Sequence, residues 1–196
     1  MALALVLAAG AAAHGPARAA AATAPQPAAA AATAPTAPAD FVTDGAGFLS
    51  PAARDELDGR LAAYQRATGH QVLLWIGQTT GGEPIEAWAV RAFAAWRVGR
   101  KGLDDGVVLF VMAADRKVRI EVGYGLEDRL TDAGAARIIG DEMVPRLRAG
   151  DRDGAARAGV GGVLAALGGE TGAPRAAVPV PGARPLATTR VLLKMR

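Results

Sequence analysis

Five carboxylates and one guanidinium are the side chains of this chain whose types and spacing suit chemistry. Asp104 and Asp105 precede one apolar run and Glu127 follows the next, so a hairpin between the runs would bring the three acids to one sheet edge, with Asp132 close by. A second group pairs Asp44 with Asp115, and Arg116 beside it offers a planar fork to a phosphate oxygen. Carboxylates combined with carbonyls of glycine-rich loops suit hard cations, which makes these groups candidate sites for Ca²⁺ or Mg²⁺. One ion cannot serve both groups. Asp104 and Asp115 bracket a strand of about eight residues, which at roughly 3.3 Å per residue sets them more than about 25 Å apart.

Other chemistries are closed by composition. There is no cysteine, so disulfides, thiolate catalysis and cysteine-ligated zinc are excluded. The two histidines are His14, in the opening apolar stretch, and His70, which reads as a surface turn residue at a helix end; a Ser-His-Asp triad has nothing to be built from. Gly123-x-Gly125 lacks the third glycine of a dinucleotide fingerprint and no P-loop lysine follows it. The acids also have structural roles open to them: Asp44 in an Asx-turn, Asp104-Asp105-Gly106 in a turn leading into a strand, Asp115 in a hairpin turn, Asp132 as a helix cap. Glu127 fits such a role least, because no turn there asks for glutamate.

The elements that would position these residues follow from periodicity. Val107 to Met112 is a continuous, β-branched apolar run, as in a strand buried on both faces. Val118, Ile120 and Val122 alternate with Lys117, Arg119 and Glu121, which predicts an edge strand with a solvated charged face, joined to the first by a turn over Ala114 to Lys117. Ser50-Pro51 opens a helix that carries Leu57, Leu61 and Tyr64 on one face and stops at Gly69. Val72 to Ile76 is a strand. Pro84 starts a second helix whose Trp88, Phe93 and Trp96 recur at core spacing. Strand, helix and strand in that order predict parallel pairing of 72–76 with 107–112 through a right-handed crossover, and the hairpin makes the sheet mixed. Thr131 or Asp132 caps a third helix that Pro145 interrupts, and Asp151 or Asp153 caps a fourth. The expected fold class is α/β, a three-layer α/β/α sandwich around a small mixed sheet.

Charge needs locating before it is interpreted. The 196-residue chain has a sequence pI near 9.8, yet all 19 acids fall between Asp40 and Glu170 with only 16 of the 22 lysines and arginines, a net charge of −3 for that segment. That argues against a nucleic-acid footprint. Ala2 to Ala13 is an apolar run of signal-peptide length and Ala17-Arg18-Ala19 a cleavage pattern, so residues 1–19 are expected to direct export to the periplasm or beyond. Residues 20–39 form an alanine- and proline-rich linker. Residues 169–196 are expected to be a disordered basic tail that could attract an anionic membrane surface, and no segment has the ~20 apolar residues of a spanning helix.

Four blocks of this sequence resemble the TPM domain, the module of YgcG-like bacterial proteins and thylakoid lumen acid-phosphatase-like proteins. The central ones are D-D-G-V-V-L-F-V from residue 104 and D-R-K-V-R-I-E-V-G-Y-G-L-E from residue 115, with L-T-D-A after them. F-V-T-D-G-A-G-F-L-S at 41–50 resembles the opening motif, and M-V-P-R-L-R-A-G-D-R-D-G-A at 143–155 the closing one. The resemblance covers about residues 40–168. It implies an α/β/α sandwich exported across or anchored to a membrane, and members have been given phosphatase, divalent-cation-binding and partner-binding roles. The expectation is an exported envelope protein acting as a cation-binding interaction or regulatory module with an envelope partner; a metal-assisted acid phosphatase is the alternative.

Overall fold

The computed structural model describes residues 36–169 and the strand Leu192–Lys194. The predicted signal peptide, most of the linker and most of the basic tail lie outside the described residues. In chain order the elements are β1 (Val42–Asp44), α1 (Pro51–Thr68), β2 (Gln71–Gly77), α2 (Ile85–Trp96), β3 (Gly106–Met112), β4 (Lys117–Val122), a 3₁₀ turn at Tyr124–Leu126, α3 (Asp132–Arg137), a π-helical turn at Ile138–Met143, α4 (Val144–Arg148), α5 (Arg152–Ala166) and β5 (Leu192–Lys194).

The sheet order is β1-β2-β3-β4-β5. β1, β2 and β3 are parallel, and β4 returns antiparallel to β3 with Val107 opposite Val122 and Met112 opposite Lys117. All seven residues of β3 are buried, as its unbroken apolar run requires. Residues alternate between two cores. Val72, Leu74 and Ile76 of β2 face α1, α5 and the α3–α4 segment, together with Leu109 and Ile120. Leu73, Trp75, Val108 and Phe110 face α2, where Trp88 and Trp96 close an aromatic cluster with ring centroids 4.9 Å (Trp75–Trp88) and 5.5 Å (Trp88–Phe110) apart. This is the three-layer sandwich, with a single helix on one side among the described residues.

The two crossovers step the same way across the sheet, yet α1 and α2 lie on opposite faces, so the two connections have opposite hands. Caps lie where local chemistry places them. Ser50 accepts from the Ala53 N–H at 3.2 Å ahead of Pro51, and Gly69 ends α1 at φ +80°. Thr131, not Asp132, caps α3, and Asp151 caps α5. Pro145 follows a widened π turn instead of simply ending the helix.

Three features depart from the sequence reading. β1 is too short, at three residues, to announce itself by alternation. Leu192–Lys194, inside the segment expected to be disordered, pairs with Lys117–Arg119. Arg119 and Glu121, expected on a solvated face, are fully buried and ion-paired to each other. Alternation was right about which residues share a face; α2 packing over that face is what removes the water.

Candidate functional site

The turn after β4 lies against the loop before β3, as the hairpin predicts. The Gly123 N–H donates to the Gly106 carbonyl at 2.8 Å and the Gly125 N–H to the Asp104 carbonyl at 3.1 Å. Both glycines are required by this approach, because a Cβ would stand 2.1 Å from the Asp104 oxygen at Gly123 and 2.0 Å from the Leu103 oxygen at Gly125. Between them Tyr124 is turned outward and is 49% exposed.

The predicted first group is brought together by its backbone and divided by its side chains. Asp105 is buried, 3% exposed, and faces inward: the Arg100 backbone N–H donates to Oδ1 at 2.7 Å, the Arg100 guanidinium to Oδ2 through Nε at 2.7 Å and also through Nη2, and His70 Nδ1 lies 3.2 Å from Oδ2. Burial works to raise the Asp105 pKa, and the hydrogen bonds from Arg100 and His70 outweigh it, leaving the carboxyl below the usual range. Because an ionised carboxylate only accepts, His70 carries its hydrogen on Nδ1. His70 is thus a buried partner, 7% exposed, and not a surface turn residue. Asp104, next in sequence, is exposed at φ +48°, and Glu127 is half-buried after the 3₁₀ turn.

The second group lies at the carboxyl ends of the parallel strands, and each acid is engaged locally. Asp44 accepts from the Ala46 and Leu49 N–H groups at 3.1 and 2.8 Å, an Asx-turn. Asp115 ties the hairpin to the loop before α2, accepting from Thr79 Oγ1 at 2.7 Å and the Thr80 N–H at 2.8 Å, which holds its pKa below the usual value. It therefore lies beside the Gly81-Gly82 turn. Arg116 is exposed in the hairpin turn at φ +53°.

These donor sets do not fit a preformed cation site. Asp44, Asp105 and Asp115 already have their oxygens satisfied by N–H, hydroxyl and guanidinium donors, and no three or more His, Asp or Glu among the described residues are grouped to hold a metal ion.

What the loop and turn do form is a cleft of about 550 Å³ between the C-terminal end of α2, the loop from Arg97 to Asp104, and Val122 to Tyr124. Phe93, Ala94, Val98 and Val122 supply apolar lining, and Arg97, Arg100, Lys101 and Asp104 the charge. Arg97 and Lys101 are exposed, and their side chains make no hydrogen bond or ion pair among the described residues. Sequence reasoning passed over this R-V-G-R-K-G stretch because it follows a helix and has no period; clustered cations among glycines were the available signal.

The fold belongs to a known family. The sequence description of the TPM domain matches residues 42–166, so the chain belongs to the TPM domain family. Among solved structures it is similar to the N-terminal domain of a P. gingivalis protein in solution, at 34% identity and a TM-score of 0.61 over 65% of this chain and 82% of that one. The BA42 protein of Bizionia argentinensis (15% identity, TM-score 0.55, 63% and 84% covered) shares the fold, as does the N-terminal domain of the cg2496 protein of Corynebacterium glutamicum (19%, 0.51, 68% and 84%). No curated protein matches the chain.

Proposed function

We propose that this TPM domain is an exported binding module of the cell envelope whose working surface is the cleft between α2 and the Gly123–Gly125 turn. The observation that carries the reading is the pair of uncommitted cations, Arg97 and Lys101, at the rim of a cleft with an apolar lining and an exposed tyrosine. Convergent polar groups around an apolar concavity are the common form of a ligand site, and two cations select an anionic group. Export rests on the apolar opening stretch and its A-x-A pattern. No helix among the described residues is long and apolar enough to cross a membrane. A membrane-bound envelope partner is the natural setting for regulation by such a module.

Titration with inorganic phosphate and with acetate, followed by the backbone amide signals of Gly99, Gly102 and Gly123, tests the site. Shifts confined to the cleft in the wild type and lost in Arg97→Gln/Lys101→Ala support it; shifts scattered over the surface, unchanged by the substitutions, refute it. The same cationic rim also favours a phosphoryl oxygen, which keeps a phosphomonoesterase as a second reading. Turnover of p-nitrophenyl phosphate by wild type and its loss in Asp104→Asn would replace the binder with the enzyme. Export is checked by fractionating cells that produce the full chain.

A further inference from the structure

We infer that the cleft is built for a monoanion on an aromatic or branched apolar body, that is, a carboxylate beside an apolar group, and not for a phosphate dianion. This rests on the reading of the cleft as the ligand site and narrows what it takes. The charge count decides between the anions. Arg100 is neutralised by Asp105, which holds both its guanidinium and its backbone N–H. That leaves Arg97 and Lys101 against the exposed carboxylate of Asp104, a net charge of +1. The cleft also lies at the C-terminal end of α2, where the helix dipole adds partial negative charge. A monocarboxylate is matched by this field; a phosphate monoester near its second ionisation brings a charge that Asp104 and the helix end oppose.

The rest of the cleft asks for an apolar body. A bare anion would leave the lining of Phe93, Ala94, Val98 and Val122 unused. Tyr124 is placed to cover such a body: the two glycines that pack its turn against Leu103 and Asp104 fix where its ring emerges. An aromatic face held by rigid backbone loses little entropy on contact, which suits it to discriminate ligands by their apolar part. The chemistry is shared by small aryl or acyl carboxylic acids and by the carboxyl terminus of a peptide ending in an apolar residue.

The test uses the full chain and five probes: N-acetylphenylalanine, its amide, acetate, inorganic phosphate and N-acetyl-Ala-Ala-Phe, each titrated by calorimetry with amide shifts to locate binding. N-acetylphenylalanine is expected to bind about tenfold or more tighter than its amide or acetate, the loss of a charge-assisted contact being worth about that factor, and tighter than phosphate. Tyr124→Ala should reduce N-acetylphenylalanine to the level of acetate. Asp104→Asn, tolerable at a left-handed φ, should raise phosphate affinity selectively. Tighter binding of the tripeptide assigns the ligand to a chain end, and equal binding assigns it to a small acid; both support the inference. Phosphate binding tighter than N-acetylphenylalanine in the wild type overturns it while leaving the cleft as an anion site; equal binding of acid and amide overturns it together with the anion reading, because the cleft then senses no charge. Silence of the cleft amides to all five probes removes the cleft reading itself.

Discussion

At Asp105, the Arg100 backbone and side chain and His70 converge on one carboxylate, and the result is a loop held in place rather than a site held open. Two buried acids should then give opposite pH responses. Asp105 is stabilised as the anion, so its contribution is present above the ordinary carboxylate range and is lost as pH falls below it towards the depressed folded value. Glu121 is displaced the other way, to about 7, by burial that outweighs the pull of Arg119, with Asp132 and Glu86 adding repulsion. The fold therefore favours its protonated form. That contribution is fully present below the ordinary glutamate value near 4.5 and is lost as pH rises through about 7. Denaturant melts between pH 3 and 8 should show Asp105→Asn costing about 2 kcal/mol at pH 7 and much less at pH 3. Glu121→Gln, by contrast, should remove the decline in stability between pH 5 and 8. A Glu121→Gln profile parallel to the wild type would show that this acid does not titrate there.

The elements are joined at their ends as well as through their faces. Ser50, the cap of α1, donates both its N–H (2.9 Å) and its hydroxyl (2.5 Å) to Asp153 in the first turn of α5, so one serine satisfies its own helix and anchors another. Ser50→Ala should cost about 1–2 kcal/mol, the upper part of the range for a cap, and should couple to Asp153→Ala. In a double-mutant cycle the pair is expected to lose less than the sum of the single changes; strict additivity would mean that the two helix ends are held independently. The same scale explains what periodicity could show. α1, α2, β3 and the hairpin were legible because hydrophobic spacing and capping residues agree along many residues. β1 was not, since three residues cannot display alternation, and its place beside β2 depends on pairing across α1. The cleft was illegible for a related reason: Arg97 and Lys101 reach Tyr124 only through the return of β4 along β3.

For the whole molecule, the commitment of the predicted acids to internal donors bears on stability as much as on binding. A ligand that binds only the native state raises the melting temperature by mass action. Chelator-stripped protein is expected to melt at the same temperature with Ca²⁺, Mg²⁺ or Mn²⁺ added at 1 mM, roughly a thousandfold above a micromolar site, beyond what matched ionic strength produces. A rise of several degrees, abolished by Asp104→Asn or Asp115→Asn, would show that the carboxylates rearrange around an ion and would locate it. By itself the chain's sequence determined the α/β class, the Ser50 cap of α1, the mixed hairpin and the nearness of Gly123–Gly125 to Asp104, because these follow from local conformational preference and from periodic burial, which adjacent residues carry. It also carried enough motif in order to identify the family. Only tertiary structure decided how the charges are used. Whether Arg119 is solvated depends on a helix some thirty residues away, and whether Asp105 is a ligand or a latch depends on Arg100 and His70 arriving at the same point. A side chain's neighbours in space set its solvation and its partners, and no spacing along the chain records them.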